Sequence, residues 1–310
     1  MAKSFENILR EMADTTQIVT ADMIYRLSEI NDDDLKLLRA AWGGIPVERR
    51  LLLVQRYTEA AETNFDLNFD AVTRLALTDL NDEVREAAVE ATWDDETVDM
   101  ATRLIAMASG DLAESVRAAA VSALGNFILL GELGKFDADV ARRAQNIALK
   151  LYNDEGEAIS VRRRALEALG NSSRDEVNDL INDSYVSDSL EMRASAIFAM
   201  GRSFDHKWEP TVLQELGSDE PQMRYEAARA VGELQLHEAL PQLAEMIADD
   251  DREIMEMAIW ALGEIGGDEA RRLLEDVIER ADEAGDDSLA DAVEEALEAA
   301  SLAGEDLSFS

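Results

Sequence analysis

The chemistry open to this chain is bounded by two histidines, His206 and His237, and by a complete lack of cysteine. A histidine-dependent acid–base step therefore has only these two candidates. Cysteine nucleophiles, thiolate metal sites and a disulfide scaffold are excluded together. A zinc site would need more nitrogen or sulfur ligands at tighter spacing. Carboxylates are so numerous, 67 Asp and Glu in 310 residues, that close pairs arise by chance and do not argue for paired-carboxylate catalysis. The runs Asp32-Asp33-Asp34 and Asp249-Asp250-Asp251 have the composition of weak calcium ligands. As consecutive turn residues ahead of helices, they read better as caps. No glycine-rich phosphate loop or GxSxG elbow occurs. The chain is expected to be non-enzymatic, with no catalytic, metal or cofactor-binding residues and no cofactor.

Against the 67 acids stand 29 Lys and Arg, a net charge of −38. Non-specific nucleic-acid binding rests on cations that neutralise phosphates, so this balance argues against nucleic acid. It argues equally against anionic membrane surfaces. Hydrophobic residues make up 47% of the chain, enough for a true core, so the charge does not imply disorder. The opening MAKSFENILREMAD lacks the basic start and unbroken apolar stretch of a secretory signal. No run of 18 apolar residues is present to span a bilayer. A cytoplasmic protein is expected. The lysines are only Lys3, Lys36, Lys135, Lys150 and Lys207; a high-salt cytoplasm and GC-rich codon usage both fit that bias.

The elements that would position any site are repeats. One segment occurs six times: EVREAAVEATW from Glu83, SVRAAAVSALG from Ser115, SVRRRALEALG from Ser160, EMRASAIFAMG from Glu191, QMRYEAARAVG from Gln222 and EIMEMAIWALG from Glu253. The anchor position is Arg85, Arg117, Arg162, Arg193, Arg224 and, exceptionally, Met255, at spacings of 32, 45, 31, 31 and 31 residues. The third residue after the anchor is always alanine (Ala88, Ala120, Ala165, Ala196, Ala227, Ala258), and so is the sixth. On a helix turning about 100° per residue, the anchor and its third, fourth and seventh followers share one face. The alanines let neighbouring helices approach, and the larger apolar followers fill the seam. The eighth follower is glycine in five copies and Trp93 in the first, which suits a left-handed C-terminal cap. Between these helices lie second apolar-periodic stretches, such as VDMATRLIAMAS and EVNDLINDSYV, with Pro210 and Pro241 where two of them begin. Asp111, Asp188 and Asp219 precede anchor helices, as N-caps would. The unit is helix, turn, helix, and no alternating β-branched run suggests a strand.

The segments DxxxxVRxxAxxALG resemble HEAT repeats, in particular the short variety typified by the bilin-lyase HEAT-like repeats, across roughly residues 66–300. The resemblance implies an all-α fold, an α-solenoid (alpha-alpha superhelix) of about six to seven helical hairpins. It also implies a ladder in which turn aspartates and anchor arginines link successive units. Asp79 with Arg85 and Asp111 with Arg117 match that spacing; Asp188 with Arg193 and Asp219 with Arg224 sit one residue closer, and Met255 has lost the arginine. Some HEAT-like proteins are di-iron hydroxylases with several His-Glu pairs. This chain has the single pair His237-Glu238.

Residues 1–65 are helical in pattern without matching the repeat and suggest three helices, a divergent cap over the first unit. The solenoid is expected over 66–302, with an insertion near 127–140, and a frayed tail at 303–310. The insertion, FILLGELGKFDADV, is either a partner contact or a helix extension that packs back on its neighbours. Residues 268–306 carry 15 acidic and three basic residues, hence 15 − 3 = 12 of the 38 excess negative charges. A folded last unit with a strongly acidic outer face is expected.

The first, second, fifth and ninth followers of each anchor point away from the seam. If anchor helices line the inner face, as the resemblance implies, these positions form a concave surface. In the first two copies they are bland: Ala87, Ala118, Ala119 and Ser122. In the fourth to sixth they become Phe198, Arg202, Tyr225, Arg229, Met257 and Trp260, while Arg163 and Arg164 add charge in the third. Aromatics with arginines have the composition of interface hot spots. The alternative is that Phe198 and Trp260 bury themselves against adjacent repeats. The leading expectation is a scaffold or adaptor binding a protein or peptide. A bilin-lyase-like or chaperone-like subunit is the runner-up implied by the resemblance, though no residue singles out a bilin pocket. A third reading is an acidic regulatory protein that occupies a basic partner.

Overall fold

The computed structural model describes residues 4–306, and among these every regular element is helical. The helices group into two compact units, residues 1–168 and 169–310. The first unit runs α1 (Phe5–Ala13), α2 (Ala21–Tyr25), α3 (Asp32–Ala41), α4 (Val47–Thr63), α5 (Asp70–Ala76), α6 (Asp82–Glu90), α7 (Val98–Gly110), α8 (Glu114–Glu132), α9 (Ala138–Asn153) and α10 (Ile159–Leu169), whose last residue falls beyond it. The second holds α11 (Asp175–Tyr185), α12 (Leu190–Arg202), α13 (Glu209–Glu215), α14 (Pro221–Glu233), α15 (Leu240–Met246), α16 (Arg252–Ile265), α17 (Gly267–Ala284) and α18 (Asp287–Asp306). The six anchor segments are α6, α8, α10, α12, α14 and α16, and their second stretches form partner helices. Pro210 and Pro241 lie in the first turns of α13 and α15, where a missing N–H costs nothing. This is an α-solenoid of stacked helical hairpins.

The repeat alanines do what their size requires. All six third-follower alanines are fully buried. In the second unit α12, α14, α16 and α18 pack side by side, each also against its hairpin partner. In the first unit α4, α6 and α8 do the same.

The repeat glycines, by contrast, are not left-handed caps. Gly125, Gly201, Gly232 and Gly263 lie inside helices, and only Gly134, Gly266, Gly267 and Gly285 have positive φ among the described glycines. The role of Gly201, Gly232 and Gly263 is close approach. A Cβ at Gly201 would sit 2.8 Å from Ala230 Cα, one at Gly232 3.0 Å from Ala261 Cα, and one at Gly263 3.0 Å from Ala296 Cα. Each glycine thus faces the sixth-follower alanine of the next repeat, or its counterpart on α18. The left-handed residue falls three positions later, at Phe204 (φ 51°), Gln235 (φ 52°) and Gly266 (φ 65°). Only the last of these is a glycine.

Asp111, Asp188 and Asp219 are not the N-caps of the anchor helices, and Asp111 has another task. The N-caps are Asn81, Ser189 and Asp251, each accepting from a first-turn N–H, while Glu220 occupies that place before α14 and Ala113 before α8. Asp111 instead accepts two hydrogen bonds from Arg85, Nε at 2.8 Å and Nη2 at 2.7 Å, and one from the Ala113 N–H. The Arg85 Nη1 donates to the Asp79 carbonyl in its own turn at 2.9 Å. Arg117 repeats the pattern, reaching the Asp111 carbonyl and, across the long spacing, Glu157 at 2.6 Å. Arg224 reaches the Ser218 carbonyl and Asp249. In α16 the lost arginine is replaced three residues earlier by Arg252, which pairs with Asp286 at 2.6 Å. The ladder extends into the N-terminal stretch as well. Arg50 of α4 donates to Asp79 at 2.7 and 3.0 Å, and Trp42 Nε1 donates to the same carboxylate at 2.6 Å.

Residues 4–65 of the expected cap form four α-helices rather than three. FENILREMA closes a separate helix because Phe5, Ile8, Leu9 and Met12 fall on one buried face, and Thr20 caps the short α2. Buried Arg49 fastens them by donating to the Met12 and Gln17 carbonyls, both at 2.9 Å. The insertion adds its first residues to α8, and its apolar run packs inward: Phe127 and Ile128 are buried, and the Phe127 and Phe136 rings lie 5.1 Å apart. It is the helix extension, not a projecting contact. Helix α18 continues to Asp306, so the expected tail is helical over 303–306, and its residues 307–310 lie outside the described residues.

Three measurements test these roles. Gly232→Ala should lower stability by about 1–3 kcal/mol, since its methyl would press on neighbouring backbone; Gly217→Ala, which meets nothing nearer than 3.7 Å, should change it little in the same urea titration. Asp79→Asn should cost about 3 kcal/mol or more, because it strands Arg50 in a pair whose side chains are 8% and 1% exposed. Burial pushes the Asp79 pKa up, but Arg50, the Asn81 N–H and Trp42 outweigh it and hold the carboxyl below its usual value. Asp111, against its own burial, and Glu157 are likewise held low, by Arg85 and Arg117 respectively. Their stabilisation is therefore complete above the unfolded carboxyl pKa of ~4 and disappears as pH falls through the lower folded values. Acid unfolding of Asp79→Asn should accordingly be less steep.

Candidate functional site

Two surfaces built by anchor helices carry the groups capable of recognition, one in each unit. In the second unit the outward followers of α12, α14 and α16 form rows one repeat apart. The fifth followers are Phe198, Arg229 and Trp260. The Arg229 guanidinium stacks over the Phe198 ring with its carbon 4.1 Å from the centroid, a cation–π contact between neighbouring helices. Trp260 lies against the preceding helix, where a Cβ at Gly232 would be 2.9 Å from its Cζ3, yet remains 38% exposed. Phe198, Tyr225 and Met257 are half-buried. The aromatic rows therefore combine inter-repeat packing with accessible surface.

The ninth followers add a charged centre. Arg202 and Arg229 each place Nη1 3.4 Å from Glu233 Oε1, and Arg202 Nε donates to Asn171 Oδ1 at 3.2 Å. The Glu233 side chain is only 9% exposed, and its Oε2 has no hydrogen-bond partner. That oxygen fills the space above Gly201, 2.7 Å from where a Cβ would stand. Burial raises the Glu233 pKa; Arg202 and Arg229 oppose the rise, and Glu264 adds to it. Burial also raises the Tyr225 pKa, with Glu226 and Glu253 reinforcing it and Arg229 opposing. The arginines of this surface are thus partly committed to a buried carboxylate, which orders them rather than leaving them mobile.

Arg163 and Arg164 belong to the first unit and line a different feature, a cleft of about 800 Å³ formed on α6, α8 and α10. Its floor is made by Ala118, Ala119 and Ser122, the very positions whose small size reads as bland in the sequence. Ala87 is buried and takes no part. Sequence reasoning also passed over Trp93, Glu86 and Glu90, which line the same cleft. The available signal was Trp93 itself, standing where other copies have the close-approach glycine. Trp93 is 45% exposed and meets Phe65, 82% exposed, edge to face at 6.4 Å. Arg164 pairs with Glu167 at 2.5 Å.

The two histidines and the aspartate runs lie elsewhere. His206 and His237 are both exposed and begin 3-10 turns in successive repeats. Asn31 caps α3 by accepting from the Asp33 and Asp34 N–H groups, placing the first aspartate run in a first helical turn. Asp249 and Asp251 accept backbone N–H groups at the start of α16. No helix among the described residues is long and apolar enough to cross a membrane.

Residues 209–298 match the family described as HEAT repeats. No curated protein matches the chain in sequence. Among solved structures, the chain is similar to the complex of CpcE and CpcF of phycocyanin lyase from Nostoc, with 15% identity, 91% of this chain and 97% of that one covered, and a TM-score of 0.56. Weaker likenesses are found to human deoxyhypusine hydroxylase, at 16% identity, 96% coverage of both chains and a TM-score of 0.37, and to yeast importin-beta, at 13% identity, 96% and 46% coverage and a TM-score of 0.49. At these identities the likeness is one of fold. Residues 209–298 are HEAT repeats, and the chain has the all-α solenoid fold that such repeats build.

Proposed function

We propose that this HEAT-repeat protein is a cytoplasmic, non-catalytic scaffold that binds a protein or peptide on the outward face of its second-unit anchor helices. The supporting observation is the ordered aromatic–arginine row: Phe198 stacked by Arg229, Trp260 part-exposed one repeat on, and Arg202 and Arg229 held by Glu233. Rigid aromatics and arginines supply contact area at low entropic cost, and their binding energy concentrates in a few residues. Tyr225 and Met257 extend the same surface. The fold supports this reading because stacked repeats offer many side chains along one extended face.

The proposal separates from an acidic regulatory role by salt. A contact carried by the −38 charge weakens sharply as screening lengths shrink, whereas an aromatic-anchored contact persists. In an affinity capture from the native lysate, the proposal expects one protein retained at high salt by the wild-type chain and lost with Trp260→Ala or Tyr225→Ala. Both variants should keep thermal midpoints within a few degrees of wild type, about 1 kcal/mol. Retention by both variants, or loss of fold in both, would overturn it. A basic protein recovered only at low salt would favour charge mimicry, and a recovered pigment would favour a bilin-lyase-like role.

A further inference from the structure

The first-unit cleft has features that the second-unit surface does not. Its volume of about 800 Å³ lies within the ~300–1,000 Å³ usual for small-ligand sites. Glu86 and Glu90 stand one turn apart on α6, so their carboxylates share a face. The charge that Glu90 feels is that of Glu86: burial raises its pKa, and the like charge raises it further. Neither carboxylate joins the ladder or any ion pair described above. Trp93 follows in the turn after the same helix, with its ring accessible and edge to face with Phe65. On α10, one turn before Arg163 and Arg164, Ser160 Oγ lines the cleft as a buried oxygen without a hydrogen-bond partner. The floor of Ala118, Ala119 and Ser122 leaves room for a side chain to enter.

We propose that this cleft receives one basic side chain, arginine before lysine, presented by an extended segment of a partner protein. In this arrangement the Trp93 ring stacks the cation, Glu86 and Glu90 pair with it, and the small floor admits its aliphatic stem. A planar guanidinium suits the site because it stacks on an aromatic face while donating in its plane to carboxylates. The chain's net charge of −38 draws such a segment by long-range attraction. Arg163 and Arg164 on the opposite wall set a direction: the residue entering beside Glu86 and Glu90 is basic, and a second basic residue directed at the α10 wall is disfavoured. The site goes beyond the aromatic row of α12, α14 and α16, since none of its residues belongs to that row.

The test uses the full chain labelled with nitrogen-15 and an acetylated, amidated pentapeptide with a single central arginine flanked by glycine and alanine. Its partner probe carries citrulline, which keeps shape and loses charge. The arginine peptide should move the Trp93 indole N–H resonance saturably, and the citrulline peptide should bind about tenfold more weakly or worse. Glu86→Gln with Glu90→Gln should remove the response while leaving the thermal midpoint within a few degrees of wild type, because Glu90 is exposed, Glu86 only half-buried, and neither carboxylate takes part in the ladder. Trp260→Ala should leave the titration intact, so failure of the aromatic row and failure of the cleft are read separately. Equal shifts from both peptides, an unmoved Trp93 resonance, or an unchanged response in the double glutamine variant would each overturn the proposal.

Discussion

Everything in the second unit depends on how closely one anchor helix approaches the next. At Gly201, Gly232 and Gly263 the distance is so short that even a methyl group would press on the alanine backbone of the neighbour. Contacts this tight leave no choice about which side chains lie in the seam and which leave it. The buried alanines, the ladder and the outward rows all follow from that spacing. Apolar area still supplies the driving force, but the small residues decide the geometry in which it is buried. A repeat only about 31 residues long has little other means of building a continuous core from short helices.

The ladder has a complementary task. Stacked hairpins expose turn carbonyls and helix ends that need hydrogen bonds. Arg85, Arg117 and Arg224 answer this by donating both to a carbonyl of their own turn and to a carboxylate of the next. Each arginine thereby ties two turns rather than one. The substitutions along the ladder are informative. Glu157 takes the aspartate's place where the insertion lengthens the path, and Arg252 restores the bridge that Met255 cannot make. The pairing survives changes of residue and position because guanidinium reach and planarity matter more than register.

The two candidate surfaces illustrate opposite uses of one pattern. In the second unit, large outward residues lean on the preceding repeat, so Arg229 covers Phe198 and Trp260 covers Gly232. In the first unit Trp93 occupies the glycine position, the outward residues are small, and a cleft remains. A row of large side chains makes a raised, ordered surface, whereas a row of small ones makes a hollow bounded by whatever charges flank it. Reading for conspicuous residues finds the first kind and passes over the second, because a cavity is a property of absent atoms.

The sequence by itself determined the fold class. Alanine at two invariant positions, arginine at the anchor and a 31-residue period leave little room for anything but stacked helical hairpins, since helical periodicity is local and readable. It also located the helix starts at Pro210 and Pro241. The resemblance to HEAT repeats pointed to the anchor arginines of the ladder, but their carboxylate partners, such as Asp111 for Arg85 and Asp249 for Arg224, are those of the following turn. Only the tertiary structure decided what the small and charged residues were for. Glycine at a helix end suggests a left-handed cap, yet here the neighbour's backbone occupies the space a side chain would need. Aspartate before a helix suggests an N-cap, yet Asp111 faces an arginine from the repeat before it. Whether Ala118 lies in a seam or on the floor of a cleft depends on Trp93, 25 residues earlier in the chain. These roles are set by contacts between helices distant in sequence, and no local pattern encodes them.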